Sequence, residues 1–135
     1  MSHSFNKIWI HAVFSTKDRA ALISKDVEPK LFSFIQQQLT DSGCMVKCIN
    51  GMSDHVHILF LLNPLKSVAD VLKNLKGGSS HWVNQNNLTQ NKFAWQVGYG
   101  AFSVSESQID KIRTYIEQQK IHHRKLSFAD EYNNL

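Results

Sequence analysis

Asp54-His55-Val56-His57-Ile58-Leu59-Phe60-Leu61-Leu62 sets two imidazoles two residues apart inside an apolar run. Alternate side chains of a strand share a face. His55 and His57 therefore project to one side, and Val56, Ile58, Phe60 and Leu62 supply an unbroken apolar set to the other. The core side is thereby assigned. Two neutral imidazoles on a rigid strand have the geometry of a metal-ligand pair, and in a chain with seven histidines they equally fit a polar sheet face.

The remaining elements are read outward from this strand. Lys7 to Phe14 alternates, with Ile8, Ile10, Ala12 and Phe14 on one face and Lys7, Trp9, His11 and Val13 on the other, a first strand. A helix is expected from Asp26–Pro29 to about Leu39, with Leu31, Phe34, Ile35 and Gln38 at helical spacing, ended by Asp41-Ser42-Gly43. Cys44 to Ile49 reads as a second strand and Asn50-Gly51-Met52-Ser53 as the turn of a hairpin into the strand from Asp54 to Leu62. Ser67 to about Leu75 carries Val68, Val71, Leu72 and Leu75 as a helical stripe, with Lys66 and Lys73 opposite it and Lys76 beside it. Lys76-Gly77-Gly78-Ser79-Ser80 matches no nucleotide-loop pattern and reads as a flexible helix end.

Asn84 to Asn91 is expected to be a surface loop, and Phe93 to Val104 a fourth strand interrupted at Gly98 and Gly100. Ser105-Glu106-Ser107-Gln108 offers N-caps for a last helix with Ile109, Ile112 and Ile116 as its core stripe. The fold class is therefore α+β, a ferredoxin-like βαββαβ antiparallel sheet with an added C-terminal helix. Both crossover helices of that pattern cover one sheet face. His55 and His57 lie on the other face with Leu59 and Leu61, so the last helix, from this chain or a partner, is needed as a cover.

Composition sets wide bounds. The 135 residues read as one domain, 1–135, without repeats or linkers, and 42% hydrophobic residues fit a globular core. No run approaches the roughly 20 apolar residues of a membrane span, and no basic segment leads into an apolar one at the start, so a cytoplasmic location is expected. Cys44 and Cys48, placed on one side of the second strand, are too few for a disulfide framework or a four-cysteine zinc site and read as buried thiols. A net charge of +4 and a pI near 9.1 lean towards a polyanionic partner.

On the last helix Tyr115 and Gln119 are four residues apart and flank the isoleucine stripe. Packed over the histidine face, they bring a phenol and a carboxamide oxygen beside two imidazoles. That mixed N/O set with open positions suits Mg²⁺ or Mn²⁺ better than a closed zinc site. A phenol with pKa near 10 is only about 0.1% ionised at neutral pH, so a tyrosine nucleophile needs help, and simple packing of Tyr115 at the core edge is the plainer alternative.

Several stretches, in order along nearly the whole chain, are similar to the single-tyrosine HUH transposases of the insertion-sequence-200/605 type and their relatives associated with repetitive extragenic palindromes. They are His11–Lys17, Met52–Leu59, Lys76–Ser80, Trp95–Val104, Tyr115–Gln119 and His122–Phe128. The resemblance implies that His55, His57 and Gln119 hold a divalent metal, Mg²⁺ or Mn²⁺, and that Tyr115 attacks the scissile phosphate. It implies a 5′-phosphotyrosyl link with a free 3′-hydroxyl, reversed by a second DNA end. It also implies single-stranded DNA with hairpin ends as partner and a homodimer in which one subunit's tyrosine helix can complete the other's site.

Lys66, Lys73 and Lys76 are candidate phosphate contacts, with a solvated helix face as the alternative. Tyr99 and Tyr132 are rival nucleophiles without a Gln four residues on. His11 and His81 could assist, structural or surface roles being the more ordinary reading, and His122 stands one helical turn beyond Gln119. Two other functions compete: a domesticated non-catalytic single-stranded or hairpin DNA-binding protein, and a metal-dependent hydrolase of small phosphoesters.

Overall fold

A computed structural model describes residues 5–122, excluding the side chain of His122. Tyr132 and most of His122–Phe128 lie outside the described residues. The elements run β1 (Trp9–Ser15), α1 (Val27–Asp41), β2 (Met45–Met52), β3 (His55–Leu61), α2 (Val68–Gln85), β4 (Gly100–Val104), α3 (Ile109–Glu117) and α4 (Gln119–His122). The four strands form one antiparallel sheet in the order β2-β3-β1-β4, the expected ferredoxin-like arrangement. No helix among the described residues is long and apolar enough to cross a membrane.

The alternation in β1 and β3 sorts the core into two layers. Ile10, Ala12, Phe14, Val56, Ile58, Phe60 and Leu62 pack under α1 and α2, whose buried stripes are Val27, Leu31, Ile35 and Leu39, and Val71, Leu72, Leu75 and Val83. Trp9, Leu59 and Val104 on the opposite face are covered by Ile109, Ile112, Tyr115 and Ile116 of α3, with Leu61 partly buried beside them. The required cover is thus supplied within the chain.

Four local expectations are corrected. The hairpin turn is the two residues Ser53-Asp54 rather than Asn50–Ser53, because β2 continues to Met52, which pairs with His55. Gly51 is needed for close approach: a Cβ there would stand 2.1 Å from the His55 carbonyl oxygen. A register irregularity between Val46 and Cys48 separates the cysteines, so Cys44 lies in the layer under α1 and α2 and Cys48 is half-buried on the α3 face.

The helix from Ser67 does not end at the glycines. It runs on to Gln85, since Ser79 and Val83 prolong its buried stripe and Gly78 makes room for the Gln38 side chain of α1. Only Gly100–Val104 of the predicted fourth strand is β-paired throughout. Phe93 and Trp95 instead fill the core, Trp95 making a lone bridge to Thr16 and donating from Nε1 to Ser79 Oγ at 2.9 Å. The chain then turns at Gly98, whose φ of +90° lies where L side chains are strained.

Candidate active site

β3 delivers His55 and His57, both buried, with ring centroids 5.1 Å apart and planes at 78°. Across the hairpin, Asn50 of β2 pairs with His57 and donates from Nδ2 to the carbonyl oxygens of Ile116 at 3.0 Å and Glu117 at 3.1 Å. These carbonyls end α3, where intrahelical donors run out. The chain breaks helix at Gln118 and resumes in α4, Lys120 donating to Asn50 Oδ1 at 2.8 Å and pairing with Glu28 at 3.1 Å. This junction sets Tyr115 and Gln119 over the histidines of the same chain.

Gln119 is wholly buried, its Oε1 3.3 Å from His55 Nε2. His55 Nδ1 lies 2.8 Å from Asp54 Oδ1. A carboxylate only accepts, so a neutral His55 carries its proton on Nδ1 and turns the Nε2 lone pair towards Gln119. In that tautomer the His55 Nε2 lone pair and Gln119 Oε1 converge, as two ligands of one cation would. The Nε2 amide of Gln119 is buried without a hydrogen-bond partner among the described residues. No three His, Cys, Asp or Glu side chains cluster for a metal among the described residues.

Asp54 is itself held by Arg19 at 3.1 Å. Partial burial pushes its carboxyl pKa up, but hydrogen bonds from His55 and Arg19 and the nearby guanidinium charge outweigh that and hold it below its usual value. Tyr115, 4% exposed, meets His57 edge-on with centroids 5.8 Å apart and His11 at 6.2 Å. His11 is wholly buried, its Nε2 2.9 Å from His57 Nδ1, and burial lowers its pKa to about 4, so it is neutral at physiological pH.

A cleft of about 270 Å³ opens beside His55, lined by Arg19, Gln96, Gly98 and Tyr99 among others. Lys76 borders it indirectly: its ammonium donates to the carbonyl oxygens of Gln96 at 2.6 Å and Gly98 at 2.5 Å, anchoring the cleft wall. Burial pulls its pKa down. Lys66 and Lys73 are exposed and do not line the cleft, and Tyr99 is half-exposed on the rim, outside the histidine cluster. His81 is exposed on α2.

The structure therefore brings His55, His57, Gln119 and Tyr115 together and leaves the lysines apart. Asp54, Arg19, Asn50 and Lys120 escaped sequence reasoning. Only Asp54, adjacent to His55, carried a signal that could have found it.

A family model described as "Transposase IS200 like" matches residues 4–119. The chain is 28% identical over 114 residues to the ISDra2 transposase TnpA of Deinococcus radiodurans, covering 81% of each protein. Among solved structures it is similar to a candidate transposase of Deinococcus radiodurans R1, with a TM-score of 0.71, 27% identity and coverage of 88% of this chain and 95% of that one. It also shares the fold of a REP-associated tyrosine transposase bound to a REP hairpin, with a TM-score of 0.65, 15% identity and coverage of 91% and 74%.

Proposed function

The chain belongs to the IS200-like transposase family, and from that premise we propose that it cleaves and rejoins single-stranded DNA through Tyr115. Membership makes it a DNA-cleaving enzyme of mobile elements; the chemistry is read from the site. The Tyr115 oxygen attacks the scissile phosphorus, forming a 5′-phosphotyrosyl bond as the bond to the 3′ oxygen breaks. The phenol gives up its proton, and the departing oxygen takes one to become a free 3′-hydroxyl. Because one phosphoester replaces another, a second 3′-hydroxyl can reverse the step without an external energy source.

His55, His57 and Gln119 would hold Mg²⁺ or Mn²⁺, which would polarise the scissile phosphate and offset charge on its oxygens. The observation that carries this reading is the burial of His55, His57 and Gln119 in one cluster with Tyr115, His55 Nε2 lying 3.3 Å from Gln119 Oε1. Asp54 orients His55, and Arg19 on the cleft offers a cation to the incoming backbone.

The proposed partner is single-stranded DNA carrying a hairpin, a reading supported by the REP hairpin held by the relative of the same fold. The homodimer implied by the family resemblance remains part of it, although Tyr115 and Gln119 already lie over the histidines of their own chain. The test is incubation with labelled single-stranded hairpin DNA and Mg²⁺ or EDTA, followed by a denaturing gel. A metal-dependent covalent adduct lost in Tyr115→Phe is expected. Hairpin binding without an adduct would favour a domesticated DNA-binding protein, and turnover of small phosphoesters without an adduct would favour a hydrolase.

A further inference from the structure

The imidazole of His11 is wholly buried, although nothing in a sheet core requires a ring with two polar nitrogens. Its place follows from register: β1 pairs His11 with Leu59 and Val13 with His57, so His11 is the diagonal neighbour of His57 on one sheet face. Its Nε2 lies 2.9 Å from His57 Nδ1. The ring is flanked by Phe102 at 6.1 Å and Tyr115 at 6.2 Å, which restrict its rotation.

At 2.9 Å the two ring nitrogens share one hydrogen bond and must divide roles, one donating and the other accepting. If His11 donated, His57 would accept at Nδ1 and carry its own proton on Nε2, leaving no lone pair there for an ion. If His57 donates from Nδ1, its Nε2 lone pair is bare, the same tautomer that Asp54 imposes on His55. We infer that His11 is a positioning residue, the acceptor that holds the His57 proton on Nδ1 and so turns Nε2 into a ligand. The His11 imidazole does for His57 what the Asp54 carboxylate does for His55, without a second negative charge in the buried cluster. This inference rests on the reading of His57 as a metal ligand, so its test separates the two.

The probe is Mn²⁺ alone, titrated into the full chain and read from the signal of the free ion, for the parent protein and for His11→Phe, His11→Gln and His57→Ala. His11→Phe keeps a ring but no acceptor; His11→Gln keeps a carbonyl oxygen. Loss of such an outer partner weakens metal binding about 10- to 100-fold, and that is expected for His11→Phe with most of the affinity restored in His11→Gln. Nitrogen-15 spectra of the metal-free protein are expected to place the His57 proton on Nδ1, and on Nε2 in His11→Phe.

Parent-like Mn²⁺ affinity in a folded His11→Phe would overturn the inference and leave the metal reading standing. So would an Nε2 proton on His57 in the parent protein. Parent-like affinity in His57→Ala would instead overturn the metal reading, and the inference with it. If both His11 variants unfold, the tautomer in the parent protein decides.

Discussion

Replacing Asn50 by alanine removes the side chain that ties β2 to the α3–α4 junction. Two donated bonds disappear, to Ile116 and Glu117, together with the acceptor for Lys120. A neutral hydrogen bond contributes about 0.5–1.5 kcal/mol net, and one of the two donated bonds reaches the solvent-exposed edge of the junction, so we expect a loss of about 2 kcal/mol. Lys120→Ala should cost less, under about 1 kcal/mol, because its ion pair with Glu28 is half in water.

Urea unfolding followed by circular dichroism measures both. Hydrogen exchange adds the location: amides of α3 should lose protection in Asn50→Ala before those of α1 and α2, which pack on the opposite sheet face. Adduct formation should fall too, since Tyr115 and Gln119 flank the junction. An Asn50→Ala protein within about 0.5 kcal/mol of the parent, the range of neutral surface changes, would refute the reasoning.

Gly51→Ala places a Cβ 2.1 Å from the His55 carbonyl oxygen, a clash with backbone that cannot rotate away, and should cost on the order of 3 kcal/mol or more by thermal or urea unfolding. Asp54 has its pKa lowered by folding, so its stabilisation is intact above the unfolded value of 3.8 and is lost as pH falls through the lower folded value. Asp54→Asn should therefore flatten the acid limb of the stability curve below that value. Burial, followed by the nearby Glu117 charge, pushes the Cys48 thiol up to about 12, so at pH 8 only about one molecule in ten thousand carries the thiolate. A thiol-reactive dye should label the native chain slowly and both cysteines quickly in guanidinium.

The fold was legible wherever one periodicity governed one face. His55 to Leu62 alternates so strictly that both layers of the core follow from it, and the isoleucines of α3 identify the cover for the histidine face. Local signals failed where a residue served a distant neighbour. Asn50-Gly51 carries the chemistry of a tight hairpin turn, yet Asn50 caps α3 and Gly51 admits the His55 carbonyl, so the strand runs through both. Gly77-Gly78 looks like a helix end, and the helix continues because Gly78 receives Gln38.

Alternation puts both cysteines on one face, because a register irregularity leaves no trace in it. Within the site, spacing paired His55 with His57 and Tyr115 with Gln119, and only the family resemblance gave these four residues their roles. Their supporting residues His11, Asn50 and Arg19 come from three other parts of the chain, and only tertiary register joins them.

The central claim, that Tyr115 is the nucleophile, is tested most directly by locating the bond. Protein trapped on single-stranded hairpin DNA with Mg²⁺ would be digested with nuclease and protease and the peptides sequenced by tandem mass spectrometry. We predict a nucleotide remnant on Tyr115. A remnant on Tyr99 or Tyr132, or cleaved DNA with no modified tyrosine, would contradict the account.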